Sequence, residues 1–496
     1  MALLAQTFFI CVSTLALSLA CVRVENHGAE NTAAPVPFYS SEAYTLSAED
    51  QTEGALSSIR RMDSTARGSD GQPAKLAPEE HMRRAAIYQA NRAFEEARAH
   101  WQALVARYPN DRNVPAAFFG IGRTLFQEKR YEEALPVFEK LGNAYPQTEA
   151  GRDGFYYVAA TLLRMARAGD AAVRYAEYTE RFPEGERVEN AYLNIIDSWR
   201  EAGRFDESIN WIARTRQRFA GTPTDTSALF ARLRLDVARR DWQSALRSAD
   251  ELGRASYPRS VNTTPSEVAY LRAYSLEQMG RKDEAVRAYG SIPDSANSYY
   301  GGLATSRMQK LGSAGASAAA SRENRVRAEI QRSASNFPAP YRDAILRAVK
   351  GRSVDPRLML AIMRQESGFN PTAKSPVGAR GLMQMNPEVA AKYGPRVNLN
   401  NVREDDLYRP EINLLLASEY ISELLKMFRG MPEAVAASYN GGEENVARWI
   451  ERAVHSDPGI FTAEVGFTES KDYVNKVLAN YRAYKQLYTE DLKPRR

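Results

Sequence analysis

Of the residues in this chain whose type and spacing suit chemistry, Glu366 is placed best to move a proton. It closes a segment that opens on Asp355-Pro356. Aspartate there can cap free backbone N–H groups, and proline suits a first helical turn. The segment ends at Gly368, which allows a left-handed closing residue. Met359, Ile362, Met363 and Glu366 share one helical face. The carboxyl thus continues an apolar stripe and stands at a helix C-terminus, where the macrodipole is negative. Desolvation and the dipole both favour the neutral acid and raise its pKa. A carboxyl still protonated near neutral pH is what a glycosidic leaving oxygen requires. A glutamate ending a helix also reads as an ordinary exposed terminus, and its spacing does not choose between the two.

Other chemistries find little support. Both cysteines, Cys11 and Cys21, fall within the first 21 residues. The remainder therefore has no thiol for a disulfide, a cysteine–zinc site or a cysteine nucleophile. The four histidines, His27, His81, His100 and His455, are not spaced like a metal site. A metal enzyme and a Ser–His–Asp enzyme are both disfavoured, and no cofactor is implied. A net charge of +5 suits an anionic polymer or simply a slightly basic surface. It is too small to argue for nucleic-acid binding.

The surroundings of Glu366 form an ordered series. Gln365-Glu366-Ser367-Gly368-Phe369-Asn370-Pro371 is followed by Lys374-Ser375-Pro376-Val377-Gly378-Ala379 and Gly381-Leu382-Met383-Gln384. Then come Ser438-Tyr439-Asn440-Gly441-Gly442, Val446, Arg448-Trp449, Glu464 and Glu469-Ser470-Lys471-Asp472-Tyr473-Val474. Over roughly residues 340–485 this series resembles the catalytic domain of soluble lytic transglycosylases, a goose-lysozyme-like fold. The resemblance implies cleavage of the β-1,4 bond between N-acetylmuramic acid and N-acetylglucosamine in peptidoglycan. Glu366 would protonate the bridging oxygen and then deprotonate the muramoyl 6-hydroxyl. Attack of that hydroxyl on the anomeric carbon leaves a 1,6-anhydro end. Because the attacking group belongs to the substrate, the second catalytic carboxylate of ordinary glycosidases is not needed.

By position, the resemblance makes Ser375 a contact of the muramoyl N-acetyl group and Gln384 a cleft-lining residue. It makes Tyr439 and Asn440 the pair beside the catalytic glutamate, with the phenol able to stabilise a developing cation, and Glu464 a second acid that binds sugar. Plainer readings stand beside these: Tyr439 as core, Gln384 as a cap, Glu464 as a solvated charge. The chain departs from the family pattern at Asn386 before Pro387, at Gly441, Gly442 and Glu443, and at Ser470. These departures bear on cleft detail and substrate preference. Two rival functions remain on sequence alone: a lysozyme-type hydrolase that uses water, and a repeat scaffold that binds glycan without cutting it.

A long helical region precedes this segment. Tyr108-Pro109, Tyr145-Pro146, Phe182-Pro183 and Phe219 recur at 37-residue steps. Phe94-Glu95-Glu96-Ala97, Tyr131-Glu132-Glu133-Ala134, Phe205-Asp206-Glu207-Ser208 and Trp242-Gln243-Ser244-Ala245 keep the same step, with a looser copy at Lys282-Asp283-Glu284-Ala285. An aromatic opening one helix and a proline closing the next, at this period, mark stacked helix hairpins. They resemble tetratricopeptide repeats over roughly 80–295. The aromatic is expected to fill the groove between helices, and the small residue three positions later to permit close approach. The surface of such a stack would hold glycan strands or a partner such as another cell-wall enzyme. Ser298-Tyr299-Tyr300-Gly301, between repeats and catalytic segment, extends the resemblance to the long soluble members.

The expected fold is all-α: a helical-hairpin repeat solenoid at 76–320, then a lysozyme-like α-rich catalytic domain at 338–490. Residues 312–322, GSAGASAAASR, read as a boundary or surface turn. Residues 2–20 are apolar and uncharged, which suits a signal peptide over 1–20 and a periplasmic or cell-envelope location. Cys21 follows at once and raises a lipid anchor in the outer membrane. Against that, Ser18 stands where a lipobox has leucine, and no basic segment precedes. Residues 22–75 are rich in Ala, Ser, Thr, Pro and Gly and read as a disordered tether.

Overall fold

A computed structural model describes residues 50, 53–66, 68, 72–375, 378–453 and 457–495. The expected signal peptide and Cys21 lie outside the described residues. Among those described, the chain is helical with three isolated bridges and no sheet. After α1 (Glu53–Ala66) come six hairpins: α2 (Pro78–Ala90) with α3 (Phe94–Arg107), α4 (Val114–Gln127) with α5 (Tyr131–Ala144), α6 (Glu149–Arg164) with α7 (Ala168–Arg181), α8 (Val188–Glu201) with α9 (Phe205–Arg218), α10 (Pro223–Ala238) with α11 (Trp242–Leu252), and α12 (Pro265–Gln278) with α13 (Lys282–Ser291). Two connecting helices, α14 (Tyr299–Met308) and α15 (Gly312–Arg332), lead to the C-terminal segment. It contains α16 (Arg342–Val349), α17 (Pro356–Ser367), α18 (Pro387–Tyr393), α19 (Pro410–Met427), α20 (Pro432–Gly441), α21 (Glu443–Ala453), α22 (Pro458–Glu464) and α23 (Thr468–Leu487).

The repeat is built less on its aromatic than on the small residue beside it. Ala97, Ala134, Ala171, Ser208, Ala245 and Ala285 are all 0% exposed, whereas Phe205 is 39% exposed and Ala168 takes the aromatic's place in the third hairpin. Packed helices approach closely at one point, and only a small side chain fits there. Each hairpin turns through a left-handed residue at the same register: Arg92, Lys129, Ala166, Gly203, Arg240 and Gly280. The next N–H reaches back to the carbonyl five residues earlier, as Ala93 does to Tyr88 (2.9 Å) and Arg130 to Leu125 (2.9 Å). This closure satisfies orphan carbonyls at the helix end.

Two expectations change. Residues 53–66, read as part of a disordered tether, form α1. Ile59 enters the core of the first hairpin, and Asp63 accepts hydrogen bonds from Arg84 (2.5 Å) and Tyr88 (2.7 Å) on α2. Residues 312–322, read as a boundary or turn, begin α15. Alanine is the best helix former, and the small residues let this helix lie close to α14. A Cβ on Gly315 would stand 2.5 Å from the Met308 carbonyl oxygen. The expected end of the repeat unit at residue 320 therefore falls inside a packed helix.

The C-terminal segment is not hung on the solenoid by a linker. One apolar core runs continuously from Leu229 to Leu492, separate from the Ile59–Ile195 core of the first hairpins. Both ends of the stack also reach the segment. Arg92, in the first hairpin's turn, pairs with Glu388 at 2.9 Å, and Tyr270 of α12 donates to Asp457 at 3.0 Å. The hairpins curve around the domain that carries Glu366.

Candidate active site

Helix α17 begins and ends as local rules require. The Asp355 carboxylate accepts from the Arg357 N–H (2.8 Å), Pro356 occupies the first turn, and Gly368 closes the helix at φ 56°. Met359, Ile362 and Met363 are fully buried, so the stripe that leads to Glu366 is core. Glu366 itself is partly exposed at the end of that stripe.

Three further elements surround the carboxyl. The first comprises residues 372–375 and 378–386, held together by bridges from Arg380 to Lys374 and Met385. Ser367 donates to the Leu382 carbonyl (2.7 Å) and ties this loop to the end of α17. Asn413, fully buried on α19, accepts from the Met383 N–H (2.8 Å) and donates to the carbonyls of Arg380 (2.9 Å) and Leu407 (2.8 Å). Every polar atom of that side chain is used, which is what an asparagine in a core needs. Gly381 passes through φ 75° where a Cβ would lie 2.1 Å from the Leu407 oxygen.

The second element is the end of α20. Tyr439 donates to the Met383 carbonyl (3.0 Å) and lies near enough to Glu366 for that charge, with burial as the larger cause, to push the phenol pKa well up. Asn440 accepts from Ser470 (2.6 Å) and donates to Glu469 (3.4 Å). The third element is α23, whose Tyr473 donates a short hydrogen bond to Glu366 Oε1 (2.6 Å). Burial also holds the Tyr473 pKa far above the ordinary range, so it remains a donor.

These contacts set the protonation of Glu366. Burial pushes its carboxyl up to about 8, the Tyr473 hydrogen bond works in the opposite direction, and the negative Glu469 adds to the rise. The result is an acid that is neutral at pH 7 yet able to give up its proton within the same range. Such a group can act as general acid and then general base.

The structure thus gathers Glu366, Tyr439 and Asn440 in one place. Gln384 stands behind them. Its backbone is left-handed (φ 45°), and its amide donates to the carbonyls of Ala373 (3.1 Å) and Gly381 (2.9 Å), so it caps the loop as its plainer reading had it. Ser375 closes the same loop, its hydroxyl accepting from the Ala379 N–H (3.0 Å). Glu464 is not a free acid facing sugar. It is 1% exposed, gripped by both terminal nitrogens of Arg200 (2.6 and 2.9 Å) and by Arg234 (3.1 Å), all from the repeats. Burial beside two guanidinium groups leaves no oxygen directed to the cleft, which corrects the sugar-binding expectation.

The acidic residue beside Glu366 is instead Glu469. It shares one face of α23 with Tyr473, four residues on. That spacing was visible in the sequence, but nothing local said which face of the helix would meet Glu366. Two of the departures, Gly441 and Ser470, meet each other. Gly441 lies so close to Ser470 and Trp449 that a Cβ would stand 2.8 Å from the Ser470 Oγ.

Residues 343–460 match the family model described as the transglycosylase SLT domain, while 82–147 and 267–296 match tetratricopeptide repeat models. Stretches that match tetratricopeptide repeats thus precede one that matches the SLT domain. The chain is 35% identical over 150 residues to the soluble lytic murein transglycosylase of Salmonella typhimurium, covering 30% of this chain and 23% of that protein. With the soluble lytic murein transglycosylase of Escherichia coli K12 the identity is 33% over 157 residues, covering 31% and 24%. The matched stretch spans about a quarter of the length of these relatives. Among solved structures, the 70 kDa soluble lytic transglycosylase of Escherichia coli superposes with TM-score 0.45 at 18% identity, over 87% of this chain and 84% of that one. A lytic transglycosylase of Pseudomonas aeruginosa gives 0.48 at 19%, over 90% and 76%. The SLT match stops before α23, so Tyr473, the residue bonded to Glu366, lies outside it.

Proposed function

We propose that this chain is a peptidoglycan lytic transglycosylase, cutting between N-acetylmuramic acid and N-acetylglucosamine and leaving 1,6-anhydro ends. The observation that carries the reading is the Glu366–Tyr473 pair. Burial raises the carboxyl, the phenol's hydrogen bond pulls the other way, and the balance lies at about 8. A single residue that first gives a proton to the bridging oxygen and then takes one from the muramoyl 6-hydroxyl needs that balance. As the proton leaves, the Tyr473 hydrogen bond strengthens onto the carboxylate, because bonds to charged acceptors are the stronger ones. The names of the relatives, soluble lytic murein transglycosylases, favour the same substrate.

In this reading Tyr439 and Asn440 line the subsite beside the acid, and Ser375 meets the muramoyl N-acetyl group at the edge of the loop. Peptidoglycan lies in the cell envelope, which agrees with export by residues 1–20 and leaves open a lipid anchor at Cys21. The repeats would hold the SLT domain on glycan strands. Digestion of purified sacculi followed by mass spectrometry tests the proposal. Wild type should release 1,6-anhydro muropeptides, and Glu366→Gln should release none. Reducing ends in place of anhydro ends would make the enzyme a hydrolase of the lysozyme kind. Wild-type cleavage by Glu366→Gln would remove Glu366 as the acid.

A further inference from the structure

Tyr473 is held from behind. Residues two apart on an α-helix point roughly 200° apart, so Lys471 leaves α23 on the side opposite Tyr473. Its side chain is 4% exposed, and its ammonium is fully bonded. It donates to the Asn262 carbonyl (2.8 Å), to Glu267 Oε1 (3.0 Å) and to the Ala463 carbonyl (3.2 Å), over the ring of Phe230 at 4.9 Å. Two of these three acceptors, and the ring, belong to the repeats. Glu267, at the start of α12, is wholly buried and also accepts from Tyr300 (3.0 Å) and Thr263 (2.7 Å). Tyr300 belongs to the Ser298-Tyr299-Tyr300-Gly301 segment, which thereby gains a task. Asn262 in turn donates to the Val465 carbonyl (3.0 Å), just ahead of α23.

We propose that Lys471 and Glu267 are positioning residues for the reaction: a strut by which the sixth hairpin sets Tyr473 against Glu366. The repeat region is then part of the site's construction, in addition to any hold it has on substrate. An apolar pair would bind the two surfaces together about as well as a buried ion pair does. What the ion pair adds is direction, because three hydrogen bonds fix the height and rotation of α23 at the turn that carries Tyr473. The activity readout of this proposal rests on the transglycosylase reading, but its spectroscopic readout does not.

The test uses the full-length protein, with 3-fluorotyrosine placed at position 473 for ¹⁹F NMR and unlabelled protein for sacculus digestion. In wild type the fluorine signal should titrate with Glu366. In Lys471→Met that signal should shift or broaden and lose its titration. The kcat for sacculus cleavage should fall roughly tenfold or more, as slight misplacement of a catalytic hydrogen bond does, with KM changed less than about twofold. Lys471→Arg, which keeps charge and donors, should recover most of both. Glu267→Gln with Lys471→Met removes both charges and should melt near wild type while keeping the altered signal and low kcat. If that double variant regains wild-type kcat, the single-variant loss came from a stranded charge and the strut is refuted. A folded Lys471→Met with wild-type kcat and fluorine titration refutes it too. Should wild type release no anhydro products while Lys471→Met still alters the fluorine signal, the functional reading fails and the strut stands.

Discussion

Replacing Tyr473 by phenylalanine isolates one hydrogen bond. The ring is buried and keeps its packing, so the change removes only the donor to Glu366 Oε1. A hydrogen bond to a charged acceptor contributes roughly 1.5–3 kcal/mol. Glu366 is partly exposed, and water will replace some of the loss, so the lower end applies. At about 1.4 kcal/mol per pKa unit, the carboxyl should rise by about one unit. The bond favours the carboxylate, so its removal raises the pKa, from about 8 in wild type to roughly 9. In kcat/KM the alkaline limb marks loss of the acid form in the free enzyme. That limb should move up by about one unit in Tyr473→Phe. A weaker acid also protonates the leaving oxygen less well, so plateau turnover should fall roughly three- to tenfold. The assay is release of soluble muropeptides from sacculi between pH 5 and pH 10 (roughly the range that brackets both limbs), with melting curves as a folding control. A limb that stays in place, or moves to lower pH, would refute the hydrogen-bond account of Glu366.

Other expectations follow from the same contacts. The folded chain keeps the Glu366 proton to about pH 8 against 4.5 for the ordinary carboxyl, so the associated stability is whole below 4.5 and lost as pH rises through 8. Glu366→Gln escapes that loss: its melting advantage over wild type should be near zero at acid pH and grow to roughly 1–3 kcal/mol by pH 9, allowing for partial solvent screening. A gap independent of pH would contradict the burial of the carboxyl. Glu464→Ala strands Arg200 and Arg234 and should cost about 3–5 kcal/mol in melting experiments, with KM within about twofold of wild type; a large rise in KM with unchanged melting would return Glu464 to the sugar. Gly381→Ala meets both a left-handed backbone and the Leu407 oxygen. It should destabilise by about 3 kcal/mol or more and open the 378–386 segment to protease; a variant as resistant as wild type would count against the rigidity of that segment.

What could be read from the sequence was whatever lay within a turn or two of its own cause. Asp355, Pro356 and Gly368 announce α17 because capping is local, and the repeats announce themselves because the same local solution recurs every 37 residues. The stretch from 312 misled because small residues are used both in loops and where helices pack closely, and only the neighbour α14 decides which. Glu464 misled in a related way. An acid late in the chain suits a sugar contact by motif order, yet its partners Arg200 and Arg234 lie 264 and 230 residues away. Glu267 and Lys471 are 204 residues apart, and no local pattern pairs them.

Glu366 shows where that limit falls within a single residue. The apolar stripe on its own helix foretells that the pKa goes up, since desolvation there follows from spacing. How far it goes is set first by how deeply the assembled domain buries the carboxyl, and then by Tyr473 and Glu469, which α23 brings from 107 and 103 residues downstream. The direction of the shift is therefore a property of the α17 sequence, while its size is a property of the assembled domain. Because α23 is bolted to the sixth hairpin, a change in the repeats that leaves every motif of the SLT domain intact can still reset the acid.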